Sequence, residues 1–81
     1  MAKLPSISAR ELIKVLQKIG FKKIRQEGSH VFLQHPDGRT TVVPVHKGET
    51  IDKGLLRAIL NDIKITPDEL NQILKKKKFL K

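Results

Sequence analysis

A chain of 81 residues has room for one domain, and a domain of that size buries only about 60% of the surface its unfolded chain exposes, which argues against a deep enclosed active site. It has no cysteine, so disulfides, thiol nucleophiles and thiolate metal sites are excluded. Seventeen lysines and arginines against eight acids give a net charge of +9, which points to a polyanion as partner.

With no tryptophan or tyrosine and three phenylalanines, the core has to be aliphatic. No run of about 18 apolar residues is present to span a bilayer, and Met1 to Pro5 is too short and polar for a signal peptide. A cytoplasmic, membrane-free protein is the expectation. Residues 75–81 hold five of the lysines and no acid; this tail is read either as a solvated end or as a contact for RNA, a partner protein or a membrane surface. The predicted organisation is one domain over residues 1–74 followed by a basic tail over 75–81.

Ser8 with Glu11 three positions on is a capping box, and Leu12, Val15, Leu16 and Ile19 then recur at helical spacing. A first helix is predicted over about residues 9–19, closed by Gly20. From Phe21 to Val45 the pattern changes to short stretches rich in Ile, Val, Phe and Thr, separated by two turn signals. Strands are predicted at Phe21 to Gln26, His30 to His35 and Arg39 to Val45. Gly28-Ser29 forms the first turn and Pro36-Asp37-Gly38 the second.

Asp52 is placed to cap a second helix, with Ile51 before it and Leu56 after it as a hydrophobic staple. Thr66-Pro67-Asp68-Glu69 starts a third, with a threonine cap, proline at the first helical position and glutamate at the third. That helix is predicted to run from Pro67 to about Leu74 or into the lysines. The fold class is therefore α+β, in the order α-β-β-β-α-α. Its three-stranded antiparallel sheet has helices packed on one face and leaves the other face open to a polynucleotide or a partner protein.

Three histidines, 30, 35 and 46, are the only side chains that titrate near neutrality without perturbation. His30 leaves a tight turn directly after Gly28-Ser29, beside backbone donors able to meet a phosphate. Lys22, Lys23 and Arg25 on the preceding strand are near enough across a hairpin to supply positive charge. His30 and His35 lie five apart on one predicted strand, so pleating sends them to opposite faces and they cannot share an ion. A metal site built from His30, His46 and a carboxylate is a further alternative that no recognised ligand spacing supports, and Walker or dinucleotide glycine patterns are absent. RNA cleavage asks least of such a protein, because RNA carries its own nucleophile in the 2′-hydroxyl; a base, an acid and cationic stabilisation suffice.

The stretches Ser8-Ala9-Arg10-Glu11-Leu12, Gly20-Phe21, Gly28-Ser29-His30, Val43-Pro44-Val45-His46 and Gly54-Leu55-Leu56-Arg57-Ala58-Ile59-Leu60 share their order and spacing with one family. The chain resembles the HicA toxins, or YcfA-like family, small partners in toxin-antitoxin pairs. The resemblance covers about residues 4–65 and stops short of the third helix and the tail. It implies a fold similar to double-stranded-RNA-binding domains and an endoribonuclease that cuts messenger RNA without a cofactor. It also implies a HicB-type antitoxin that covers the site. The family's catalytic histidine falls on His30, and His46 matches a common family histidine. The alternative is a non-catalytic RNA-binding domain; against it, helix two opens on Asp52-Lys53-Gly54 without the clustered lysines such domains present to phosphates.

Overall fold

A computed structural model describes residues 4–46 and 50–79. The elements run α1 (Ala9–Lys18), β1 (Lys22–Glu27), β2 (His30–Gln34), β3 (Thr40–Pro44), α2 (Lys53–Ile63) and α3 (Pro67–Phe79). The three strands form one antiparallel sheet in the order β1-β2-β3, so the α+β class and the element order agree with the sequence reading. Loop residues 47–49 and the last two residues of the basic tail lie outside the described residues.

Each helix starts where a local side chain satisfies its first free N–H groups. Ser8 Oγ accepts from the Glu11 N–H at 3.2 Å while the Glu11 carboxylate accepts from the Ser8 N–H at 3.3 Å. Thr66 and Glu69 repeat the exchange at 3.1 and 2.9 Å. At α2 the Asp52 carboxylate accepts from Gly54 and Leu55 N–H. Its neighbours Ile51 and Leu56 both lie in the core, where the staple puts them.

The sheet buries one face. Val31, Leu33, Thr41 and Val43 alternate along β2 and β3 and are nearly inaccessible. The three apolar ones, Val31, Leu33 and Val43, meet Leu12, Val15 and Leu16 of α1 and Leu56, Ile59, Leu60 and Ile63 of α2 in a single aliphatic cluster. The strand boundaries differ from the predicted ones by single residues: β1 starts and ends one residue later, β2 ends one earlier, and β3 is one shorter at each end. Phe21 is a buried core residue ahead of β1 rather than a strand residue, because its N–H closes α1 by bonding the Leu16 carbonyl at 2.9 Å. Gly20, with φ at +112°, makes that reversal, and its own N–H bonds Gln17. The third helix, α3, continues through Leu74 into the lysines and ends at Phe79, the longer of the two predicted extents.

The β2–β3 turn is tied to α2. His35 N–H bonds the Arg39 carbonyl at 2.8 Å and Gly38 N–H bonds the His35 carbonyl at 2.9 Å. Asp37 accepts from the Arg39 backbone N–H at 3.0 Å and from its Nε at 2.8 Å, while Arg39 Nη1 donates to the Ile63 carbonyl at the end of α2. A cation at a helix C-terminus completes free carbonyls and complements the dipole.

The backbone hydrogen bond from Arg39, helped by its guanidinium, holds the Asp37 carboxyl below its ordinary value of 3.8. A depressed carboxyl stabilises the fold above its ordinary pKa and loses that contribution as the pH falls through the lowered value. Asp37→Asn is therefore expected to lower the melting temperature at neutral pH, and the deficit should shrink as the pH is taken below 3.8. A deficit of equal size at both ends of such a titration would contradict this.

Candidate nucleic-acid interface and active site

β1 and β2 are joined by the two-residue turn Gly28-Ser29. Gly28 has φ at +58° and Ser29 does not go positive, the pattern of a type II′ hairpin turn. A Cβ added at Gly28 would meet nothing within 4 Å, so it is the positive φ that calls for glycine there. Gln26 Nε2 braces the turn on the Gly28 carbonyl at 3.1 Å. On the other side, Val45 N–H bonds the Ser29 carbonyl at 2.6 Å, tying the end of β3 to the same turn.

His30 is the first residue of β2, opposite Glu27 on one neighbour and Pro44 on the other. Val31 and Leu33 face the core, so alternation turns His30, Phe32 and Gln34 to the open face. The His30 side chain is exposed and has no hydrogen bond or ion pair among the described residues. His46, also exposed, follows Val45 directly and so stands beside the same turn.

Which cations share this face is decided by a β-bulge. Lys23 pairs with Leu33, yet Arg25 pairs with Phe32, so Ile24 is an extra residue without a partner. Counted back from the turn, Glu27 falls opposite His30 and Arg25 opposite Phe32, both on the open face; a regular ladder would continue to put Lys23 opposite Gln34 on that same face, and the inserted residue turns it instead to Leu33 and the core side. The Arg25 guanidinium lies over the Phe32 ring, 4.3 Å from its centroid, and its Nη1 is 3.3 Å from Glu27 Oε2. Both partners of that ion pair are more than half exposed, so it contributes little and opens readily to a competing anion.

Gly28, Ser29, His30, Arg25 and His46 are thus brought to one end of the sheet. Lys22 and Lys23 are not. Lys22 is opposite Gln34, four residues or about 13 Å along β2 from His30. Lys23 has the parity of the core face and lines a shallow cleft with Arg10 and Lys14 of α1.

The third histidine serves the fold. His35 Nε2 is 3.1 Å from the Ile19 carbonyl and its ring meets Phe21 edge-on at 5.0 Å, on the side of the sheet away from His30. Among the described residues no three His, Cys, Asp or Glu side chains cluster as metal ligands. No helix there is long and apolar enough to cross a membrane.

Residues 9–65, which include all three strands and the first two helices, match the family described as the HicA toxin of bacterial toxin-antitoxin systems. The chain belongs to the HicA toxin family. No curated protein matches it. The toxin role in a toxin-antitoxin pair follows from the family, and with it a dedicated antitoxin partner. The matched span ends just after α2, leaving α3 and the lysines of this toxin outside it.

Sequence reasoning misses two features of the site. The stacking of Arg25 on Phe32 is one, although counting back from the Gly28-Ser29 turn puts the two opposite each other, and the bulge at Ile24, which has no pattern of its own, is the other. The one trace of the bulge in the sequence is Ile24 itself, a single apolar residue in a strand of otherwise polar ones that ends up 54% exposed.

Proposed function

We propose that this toxin is a metal-independent endoribonuclease that cuts messenger RNA with His30. The observation that carries the reading is an exposed imidazole at a hairpin mouth, on an open sheet face, with Arg25 on the same face. His30 takes the proton of the 2′-hydroxyl as its oxygen attacks the adjacent phosphorus. The bond from phosphorus to the 5′-oxygen breaks, and the imidazolium returns a proton to that oxygen. The products are a 2′,3′-cyclic phosphate and a 5′-hydroxyl.

Arg25, freed from Glu27, meets the negative charge that builds on the phosphoryl oxygens. Backbone N–H groups at Gly28 and Ser29 and the His46 ring hold neighbouring phosphates, and the outlying Lys22 and Lys23 add longer-range attraction. The domain over residues 1–74 carries the chemistry and the basic segment 75–81 adds charge. In the cell a HicB-type antitoxin covers this open face, and the pair works in the cytoplasm without a cofactor.

Purified toxin incubated with RNA in excess EDTA should yield fragments ending in a 2′,3′-cyclic phosphate. Activity that vanishes on chelation and returns with a divalent ion would overturn the single-histidine mechanism. RNA that is bound but never cut would leave a binding domain in its place.

A further inference from the structure

From Phe32 on the open face a groove of about 600 Å³ runs across the edge strand β3 to the flank of α2. Ile24, Arg25, Phe32 and Val42 line it from the sheet, and Leu55 and Asp62 from α2. It begins one step from His30, since Phe32 is the next residue of β2 on that face, about 7 Å away. That is the reach of a single nucleotide. A flat surface is ready there: Phe32 holds the Arg25 guanidinium against its ring, and the outer side of Arg25 is open. Aromatic rings and arginine planes are the groups on which unpaired RNA bases stack.

Asp62 sets the chemistry of the far wall. A carboxylate repels phosphate, so the groove is no track for the RNA backbone, but it accepts N–H donors. Thr41, itself buried, holds Asp62 Oδ2 through its hydroxyl at 3.3 Å and leaves the remaining lone pairs free. Helix stability gives no reason for an acid here, because Asp62 is in the last turn of α2, where the dipole disfavours negative charge.

Resting on the nuclease reading above, we propose that this groove takes the base beside the cut phosphate and that Asp62 favours guanine. The pairing edge of guanine carries a ring N–H and an amino N–H side by side, two donors for one carboxylate. Adenine and cytosine set a bare acceptor nitrogen next to their amino group, and uracil flanks its single N–H with two carbonyls. Both arrangements turn a lone pair toward Asp62. Apolar walls and a stacking plane bind any base; the carboxylate then discriminates.

The test uses full-length His30→Ala toxin, which retains the groove, and labelled uridine oligonucleotides with one central G, A, C or U, read by fluorescence anisotropy. The oligonucleotide with guanine should bind about tenfold tighter than the all-uridine one. Asp62→Asn should cut that preference to about twofold or less. Its melting temperature should not fall, since it removes an acid from a helix end. Phe32→Leu should weaken binding of all four by a similar factor. Equal affinity for the four bases, unchanged by Asp62→Asn, would overturn the groove and give it to another occupant such as the antitoxin. Cleavage by the His30 protein is scored separately: a preference for guanine without any cleavage supports the groove and refutes the nuclease. Cleavage blind to the base does the reverse.

Discussion

His30→Ala toxin is expected to lose RNA cleavage by about 10² to 10⁴-fold, the usual contribution of a positioned acid-base group. Cells expressing it should grow while those expressing the parent chain arrest and lose transcripts. The fold should be indifferent to the change, because His30 is exposed and has no polar partner among the described residues; surface changes of this kind usually stay within about 0.5 kcal/mol. RNA affinity should fall far less than the rate. Equal cleavage by the two proteins, with matching melting curves, would remove His30 from the chemistry and reduce it to one contact among several.

Gly20→Ala should be the most damaging single methyl in the fold. At φ +112° a side chain is strained whatever space surrounds it, at a cost of about 1 to 3 kcal/mol. Here there is no space either: the new Cβ would come to 2.6 Å from His35 Nε2. The ring would have to leave the Ile19 carbonyl it now bonds and its edge-on contact with Phe21. Stranding such a group costs about another 1 to 3 kcal/mol.

A domain of this length has about 4 to 12 kcal/mol of stability in all, so a loss of 2 to 6 would be severe, about 10 to 40 °C in melting temperature. The site at the other end of the sheet would fail only by unfolding. Adding His35→Ala should recover part of the loss, since the clash disappears while the backbone strain stays. A single variant that melts within a few degrees of the parent would show that the α1–β1 junction yields more readily than this geometry allows.

The parts of the molecule that sequence made legible are those governed by residues three or four apart. Ser8 with Glu11, Asp52 with Leu55 and Thr66 with Glu69 each begin a helix at the expected place. The apolar spacing also identified the stripes that α1 and α2 bury. His35 parting from His30 to the other side of the sheet followed from pleating alone.

Strand register is different in kind. Whether Lys23 shares the face of His30 and Arg25 turns on one unpaired residue, Ile24, because a slip of one position exchanges the two faces for everything before it. Counting from the turn with no bulge places Arg25 opposite Phe32 and Lys23 opposite Gln34, both on the histidine's face; in the structure Arg25 keeps that place and Lys23 does not. Arg39 is a further case. Its reach from the β2–β3 turn to the Ile63 carbonyl links residues 24 apart in sequence, and no local pattern announces it. The match to the HicA family over residues 9–65 covers the sheet and its first two helices. The groove beside Asp62 has no counterpart in any local sequence pattern, because its walls come from β1, β2, β3 and α2 at once.

The central claim is that the RNA attacks itself while His30 moves the proton. An oligonucleotide cut by the toxin at a mapped bond, and the same oligonucleotide with a single 2′-deoxy sugar on the 5′ side of that bond, separate this from every mechanism in which water or a metal hydroxide attacks. The toxin should leave the deoxy bond intact while still binding the strand and cutting its other sites. Cleavage of the deoxy bond at an undiminished rate would contradict the account.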